Sequence, residues 1–157
     1  MKYATNGFNV AKALGCNDME AKLAAAVAIT KGQVLFDNGA GYATNVGTAF
    51  ANTFLGVAAA DCDNSAGDAG ALSVTVIRPL PHISFWVKNE SATVATQTDV
   101  GTIIDLESND GVDVTDNTIA ANAGYGFRVQ DIDISATALT ANAGGFIKGF
   151  FEPNPTS

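Results

Sequence analysis

Residues able to carry out chemistry are few and widely spaced in this chain of 157 residues. The one histidine, His82, stands between Pro81 and Ile83 without an acidic neighbour, so no carboxylate-poised base is expected there. Neither Cys16 nor Cys62 lies in a nucleophile motif, and two cysteines without a secretory context read as free thiols. The chain has no Gly-x-Ser-x-Gly turn that would expose a catalytic serine. Gly39-Ala40-Gly41-Tyr42-Ala43-Thr44 starts like a dinucleotide fingerprint but lacks the third glycine and the βαβ setting.

Carboxylates at alternating positions are the remaining chemical signal, because such spacing can ligate calcium. Asp61, Asp63 and Ser65 match the first ligand spacings of a calcium loop, yet the closing position is Leu72, which cannot ligate. Asp105, Glu107, Asn109 and Asp116 match further, but Asp110 stands where the loop's sharp turn needs glycine, and the flanks read as strands. Both sets are read as solvated turn carboxylates. No catalytic residue, metal or cofactor is expected, and the chain is not expected to be an enzyme.

Composition narrows the partners. Sixteen acidic against eight basic residues leave a net charge of -8, which repels nucleic-acid phosphate and anionic membrane surfaces. No apolar stretch approaches the roughly 20 residues of a membrane-spanning helix. No apolar segment follows Met1-Lys2-Tyr3-Ala4-Thr5-Asn6-Gly7, so no secretory signal is expected and synthesis is assigned to the cytoplasm. At 47% hydrophobic the chain can form a core, while a charged fraction of 15%, against roughly 25% in average domains, predicts a surface of small neutral side chains. That surface suits a subunit of an assembly.

The elements expected to position these residues are short strands. Apolar runs at Val34–Phe36, Phe54–Ala58, Leu72–Ile77, Ile83–Val87, Thr102–Leu106, Tyr125–Val129 and Phe146–Phe151 alternate with Asn- and Gly-rich turns, the pattern of a sandwich or small barrel. The fold class is therefore mainly β: one small sandwich or barrel-like domain over 17–157, preceded by an extended N-terminal arm over 1–16. An ordinary first strand is the alternative for the arm. Near 18–29, Asn17 followed by Glu20 and closed by Lys31-Gly32 fits a short capped helix. Against it, Val27 and Ile29 suit strands.

Parity adds detail. In Ile83–Lys88 the inward set is Ile83, Phe85 and Val87, which places Trp86 outward as a contact residue unless another layer covers it. Pro79 and Pro81 require an edge, corner or kink between neighbouring strands. Phe127 and Val129 take one parity and Ile132 and Ile134 the other, so a bulge or break is expected near Gln130-Asp131.

Several segments in order resemble a family of tailed-phage and prophage head proteins known as decoration or structural cement proteins. They are Lys31–Asp37, Gly41-Tyr42-Ala43, Phe54–Ala58, Asp63–Val76, Ala95–Gly101, Gly126–Val129 and the closing aromatic strand. The resemblance lies in order and spacing over about 31–151. It implies a small β domain, often oligomeric, on the capsid exterior, bound to the major capsid protein and without catalytic residues; a homo-oligomer is expected, with a trimer favoured because trimers suit a symmetric axis of a capsid. Pro79-Leu80-Pro81, the longer N-terminal section and the polar stretch near 133–145 depart from the family pattern. For such a role the candidate capsid contacts are Tyr3, Phe8, Val10, Leu14, Trp86, Phe150 and Phe151. A tail or fibre component, or a carbohydrate-binding or adhesion module, is the alternative.

Overall fold

The computed structural model describes residues 3, 7–12, 18–45, 54–116 and 125–153. Among them are thirteen strands: β1 Asn9–Lys12, β2 Asp18–Lys22, β3 Val27–Ile29, β4 Val34–Asp37, β5 Ala43–Thr44, β6 Phe54–Ala58, β7 Cys62–Asn64, β8 Ser73–Ile77, β9 Ser84–Asn89, β10 Ile103–Ser108, β11 Gly111–Asp113, β12 Tyr125–Asp133 and β13 Phe146–Pro153. One short helix, α1, spans Ala136–Ala141, and its Ser135 cap accepts the Ala138 N–H at 3.3 Å. The fold is mainly β, as the strand and turn spacing predicts.

Strands β9, β11, β10, β12 and β13 pair in that order, and β13 returns to β9, closing a five-stranded barrel. Closure leaves no exposed edge in this ring. β1 shares one edge of β9 with β11, pairing at Ser84–Trp86 while β11 pairs at Lys88 and Asn89. The remaining larger sheet runs β2-β8-β6-β4-β5, and a parallel bridge from Leu23 to Ala43 brings its ends together. A ribbon of β3 and β7 completes the architecture.

Two cores follow from strand alternation. Val34 and Phe36 of β4 face the barrel residues Phe85, Val87, Ile104, Val112, Phe127, Ile147 and Phe151, whereas Leu35 faces a smaller cluster with Leu23, Val27, Ile29, Ala43, Val74 and Val76. β6 serves both cores as well. Phe54 and Val57 differ in parity yet enter the same core, which requires one extra residue in β6. The register supplies it, since Leu35 pairs with Gly56 and Phe36 with Phe54, leaving Leu55 as the bulge.

Three expectations are corrected or refined here. Residues 18–29 form no helix: Asp18, Glu20 and Lys22 are exposed while Met19 and Ala21 pack on the smaller core, a period of two, and the chain then turns at Ala26 with φ 57° before Val27 and Ile29. Pairing with β8 and burial outweigh the helix preference of the Ala-rich stretch. The described part of 1–16 is not a free arm, because Phe8 is 2% exposed and β1 is hydrogen-bonded into the main sheet. The bulge expected near Gln130-Asp131 is present: Val129 pairs with Gly149 and Asp131 with Lys148, so Ile132 is restored to the core side.

The Pro79–Pro81 join is a corner carrying the chain from β8 into the barrel strand β9, with Ile83 donating to the Leu80 carbonyl at 3.0 Å. Behind it, the fully buried Asn89 acts as a pin. Its amide donates to the Thr93 carbonyl at 2.8 Å and the Gly144 carbonyl at 3.0 Å, while Asn142 donates back to the Asn89 carbonyl at 2.7 Å. A buried amide so fully paired fixes the loop after β9 against the turn after α1.

Candidate interaction face

The aromatic residues singled out from sequence divide into two groups. Phe8 and Phe151 belong to the barrel core, 2% and 1% exposed, with ring centroids 4.9 Å apart. Both are withdrawn from the contact set, because their strands turn these rings inward and a partner reaches them only by opening the barrel. Leu14 lies outside the described residues. Val10 is 45% exposed and lines a cleft of about 250 Å³ with Phe8, Lys31, Ala58, Ala59 and Ile77.

Trp86, Phe150 and Tyr3 come together on the outer face of the barrel. Phe85 and Val87 are fully buried, so alternation directs the half-buried Trp86 outward. Trp86 pairs with Asn9 of β1 on one side and Lys148 of β13 on the other, and Asp131 of β12 continues the row. Phe150 lies two residues beyond Lys148, opposite Arg128. It is thus a diagonal neighbour of Trp86, within reach across an antiparallel pair. On the other side of the Trp86 row run Lys88, Phe146 and Asp133. Tyr3 covers that row: its hydroxyl donates to Asp133 Oδ2 at 2.8 Å and its ring meets Phe146 edge-on at 5.5 Å.

Charged groups frame the aromatics. Lys88 Nζ lies 2.8 Å from Glu90 Oε1 and 3.6 Å from Asp110 Oδ1. Burial pulls this ammonium down, but the bond to Glu90 and the field of Asp110 outweigh it and hold the Lys88 pKa above its ordinary value. Arg128 Nε donates to Glu152 Oε2 at 2.7 Å in a two-pronged pair, which raises its pKa further against the opposing effect of burial. Asp131 faces Lys148 in register but accepts the Ile132 N–H at 2.9 Å.

Other candidate chemistry resolves into local structure. Asp61 accepts the Lys31 N–H at 2.7 Å and Asp63 the Ser65 N–H at 2.9 Å, so both hold turns. Asn109 donates to the Asn45 carbonyl at 2.9 Å at the tip of the β10–β11 hairpin. Among the described residues no three of His, Cys, Asp and Glu are placed to share a metal ion. His82 is exposed and Cys62 is a half-buried free thiol. No helix among the described residues is long and apolar enough to cross a membrane.

Asp105 is a feature that strand parity alone does not reveal. It points outward from β10, directly opposite Asp113 of β11, yet is only 8% exposed. Burial raises its carboxyl pKa to about 6 against the Leu106 N–H that it accepts at 2.7 Å, and the charges of Asp116 and Glu107 push the same way. Because the folded-state value lies above the unfolded one, the ionised form is disfavoured in the fold. The contribution of Asp105 to stability is therefore greatest below about pH 4, declines as pH rises through about 6, and stays lower beyond. Asp105→Asn, which keeps the acceptor oxygen, is expected to raise stability by about 2 kcal/mol at pH 7.5 and to change it little at pH 4. Urea denaturation of both proteins at the two pH values checks this.

A comparison with protein-family models, with curated proteins and with solved structures finds no significant match to this chain.

Proposed function

We propose that this chain is a non-enzymatic decoration subunit that binds the outer surface of a tailed-phage capsid and reinforces contacts between capsomers. The observation that carries the reading is the colinear order of Lys31–Asp37, Phe54–Ala58, Asp63–Val76, Ala95–Gly101 and Gly126–Val129, which resembles head-decoration proteins over most of the chain. Supporting it, the fold is a small mainly β domain, and the carboxylates around its turns serve as hydrogen-bond acceptors for local backbone. The outward Trp86 and Phe150 supply the kind of aromatic anchors that concentrate binding energy at protein interfaces. Many symmetry-related copies make a modest affinity per subunit sufficient through avidity. The major capsid protein is the partner, the subunits act as a homo-oligomer, and the site of action is the exterior of the virion.

Fractionation of particles tests the assignment: the protein is expected with heads, binding preformed expanded capsids at a fixed ratio, and recovery with tails overturns it. Trp86→Ala is expected to weaken head binding by about 2 kcal/mol, roughly thirtyfold, with an unchanged melting temperature. Undiminished binding removes Trp86 from the interface.

A further inference from the structure

The turn between β4 and β5 places an Asn-Gly pair among groups that its own chemistry uses. Asp37 Oδ1 accepts the Gly39 N–H at 2.7 Å and the Gly41 N–H at 3.1 Å. Asn38 Oδ1 accepts the N–H of Ala40 at 3.0 Å and that of Tyr42 at 3.2 Å, and the Asn38 N–H donates to the Tyr42 carbonyl at 2.9 Å. The two side chains thus hold the hairpin tip in one shape. Asn38, Gly39, Ala40 and Gly41 are exposed, and nothing stands within 4 Å of a Cβ built on either glycine, so solvent reaches the pair. Gly39 itself carries no Cβ to hinder the approach of its nitrogen to the Asn38 side chain.

We infer that Asn38 is a self-modifying site, deamidated through a cyclic imide by groups of its own turn. The Gly39 nitrogen forms a bond to Asn38 Cγ while Asp37 Oδ1, already on that N–H at 2.7 Å, takes its proton as a general base. Negative charge then develops on Asn38 Oδ1, where the Ala40 and Tyr42 N–H groups already point, as donors of an oxyanion hole do. Collapse breaks the Cγ–Nδ2 bond, and Asp37 returns the proton to the leaving nitrogen, which departs as ammonia. Water opens the cyclic imide at either carbonyl and leaves aspartate or isoaspartate at position 38. Because attacker and target are neighbours in a fixed turn, the first step needs no encounter. The product carries one more carboxylate beside Asp37, and isoaspartate adds a methylene to the main chain of the hairpin that sets Phe36 opposite Thr44 and Asp37 opposite Ala43. None of these steps depends on what the protein binds.

Peptide mapping with tandem mass spectrometry reads the exchange of NH for O residue by residue and separates Asn38 from the other Asn-Gly pair, Asn6-Gly7. The folded protein and the urea-unfolded protein are incubated at the same neutral pH and temperature. The folded chain is expected to deamidate at Asn38 at least about threefold faster, because a positioned base and oxyanion donors accelerate by more than the turn's loss of freedom slows. An equal or slower rate in the fold overturns the inference. Asp37→Asn keeps an acceptor oxygen for the Gly39 N–H but cannot take its proton, and is expected to bring the folded rate down to the unfolded one. A folded Asp37→Asn variant that deamidates at Asn38 as fast as wild type overturns the role of Asp37. Should that variant fail to fold, the wild-type comparison decides alone.

Discussion

Replacing Phe8 by alanine is expected to lower the unfolding free energy by about 3–5 kcal/mol, the range for truncating a buried aromatic. The residue belongs to an N-terminal segment that reads as an arm, yet its ring packs against Phe85, Phe127 and Phe151 at centroid distances of 6.3, 5.4 and 4.9 Å. These rings close one end of the main core, and alanine leaves a void that the surrounding strands cannot fill without disturbing barrel pairing. In a domain of this size a loss of 4 kcal/mol corresponds to a fall in melting temperature on the order of 10 °C. Thermal denaturation followed by circular dichroism measures it. Val10→Ala, two residues on and 45% exposed, is expected to lower the unfolding free energy by under about 1 kcal/mol. If Phe8 were part of a free arm, the two substitutions would behave alike.

Gly56→Ala is expected to cost about 3 kcal/mol or more, through strain and separation of strands. Gly56 adopts φ 142°, a conformation that L side chains rarely take, and an added Cβ would stand 2.1 Å from the Ile77 carbonyl oxygen of β8. The close approach exists because the β6 bulge turns both Phe54 and Val57 toward the main core. Alanine must push β6 from β8 or undo the bulge, and either course exposes apolar surface. Chemical denaturation is the measurement. Gly39→Ala provides the contrast in the same experiment, since its φ of 86° is also strained but nothing lies within 4 Å of its added Cβ. A Gly56→Ala variant no less stable than Gly39→Ala would mean that close packing against Ile77 does not constrain this strand.

The longer strands from Val34 onward could be read in the chain because their signals are local, whereas the two- and three-residue strands β5, β7 and β11 carry no apolar run of their own. Hydrophobic alternation and the Asn and Gly turns act within a few residues, so β4, β6, β8, β9, β10, β12 and β13 fall where the apolar runs lie. The bulge in β12 was legible for the same reason: two inward pairs of opposite parity leave no other solution. Residues 18–29 misled because capping signals and alanines are also local, while the force that makes them strands, pairing of β2 with β8 and burial against Val74 and Val76, is not. Barrel closure was invisible for that reason too, since the β9–β13 pairing joins residues some sixty positions apart.

At the candidate face, the same distinction holds. Parity assigns Trp86 and Phe85 to opposite sides of β9, and the structure places them so. It cannot say which aromatics of different strands meet, because that depends on inter-strand register. The register is what makes Phe150 a neighbour of Trp86, sends Phe151 to Phe127, and sets Tyr3 over Phe146.

By itself, then, the sequence determined the β class, the positions of seven strands after Gln33 though not of the short β5, β7 and β11, the lack of recognisable catalytic motifs and the excess negative charge, all properties carried by composition or by neighbours within a strand. Only the tertiary structure decided that Phe8 and Phe151 are core and not contact, that Asp105 is buried opposite Asp113, and that Trp86 shares a face with Phe150 and carboxylates of the barrel. The physical reason is that alternation gives every strand two faces, but which face is covered, and by what, is settled by strands distant in the chain.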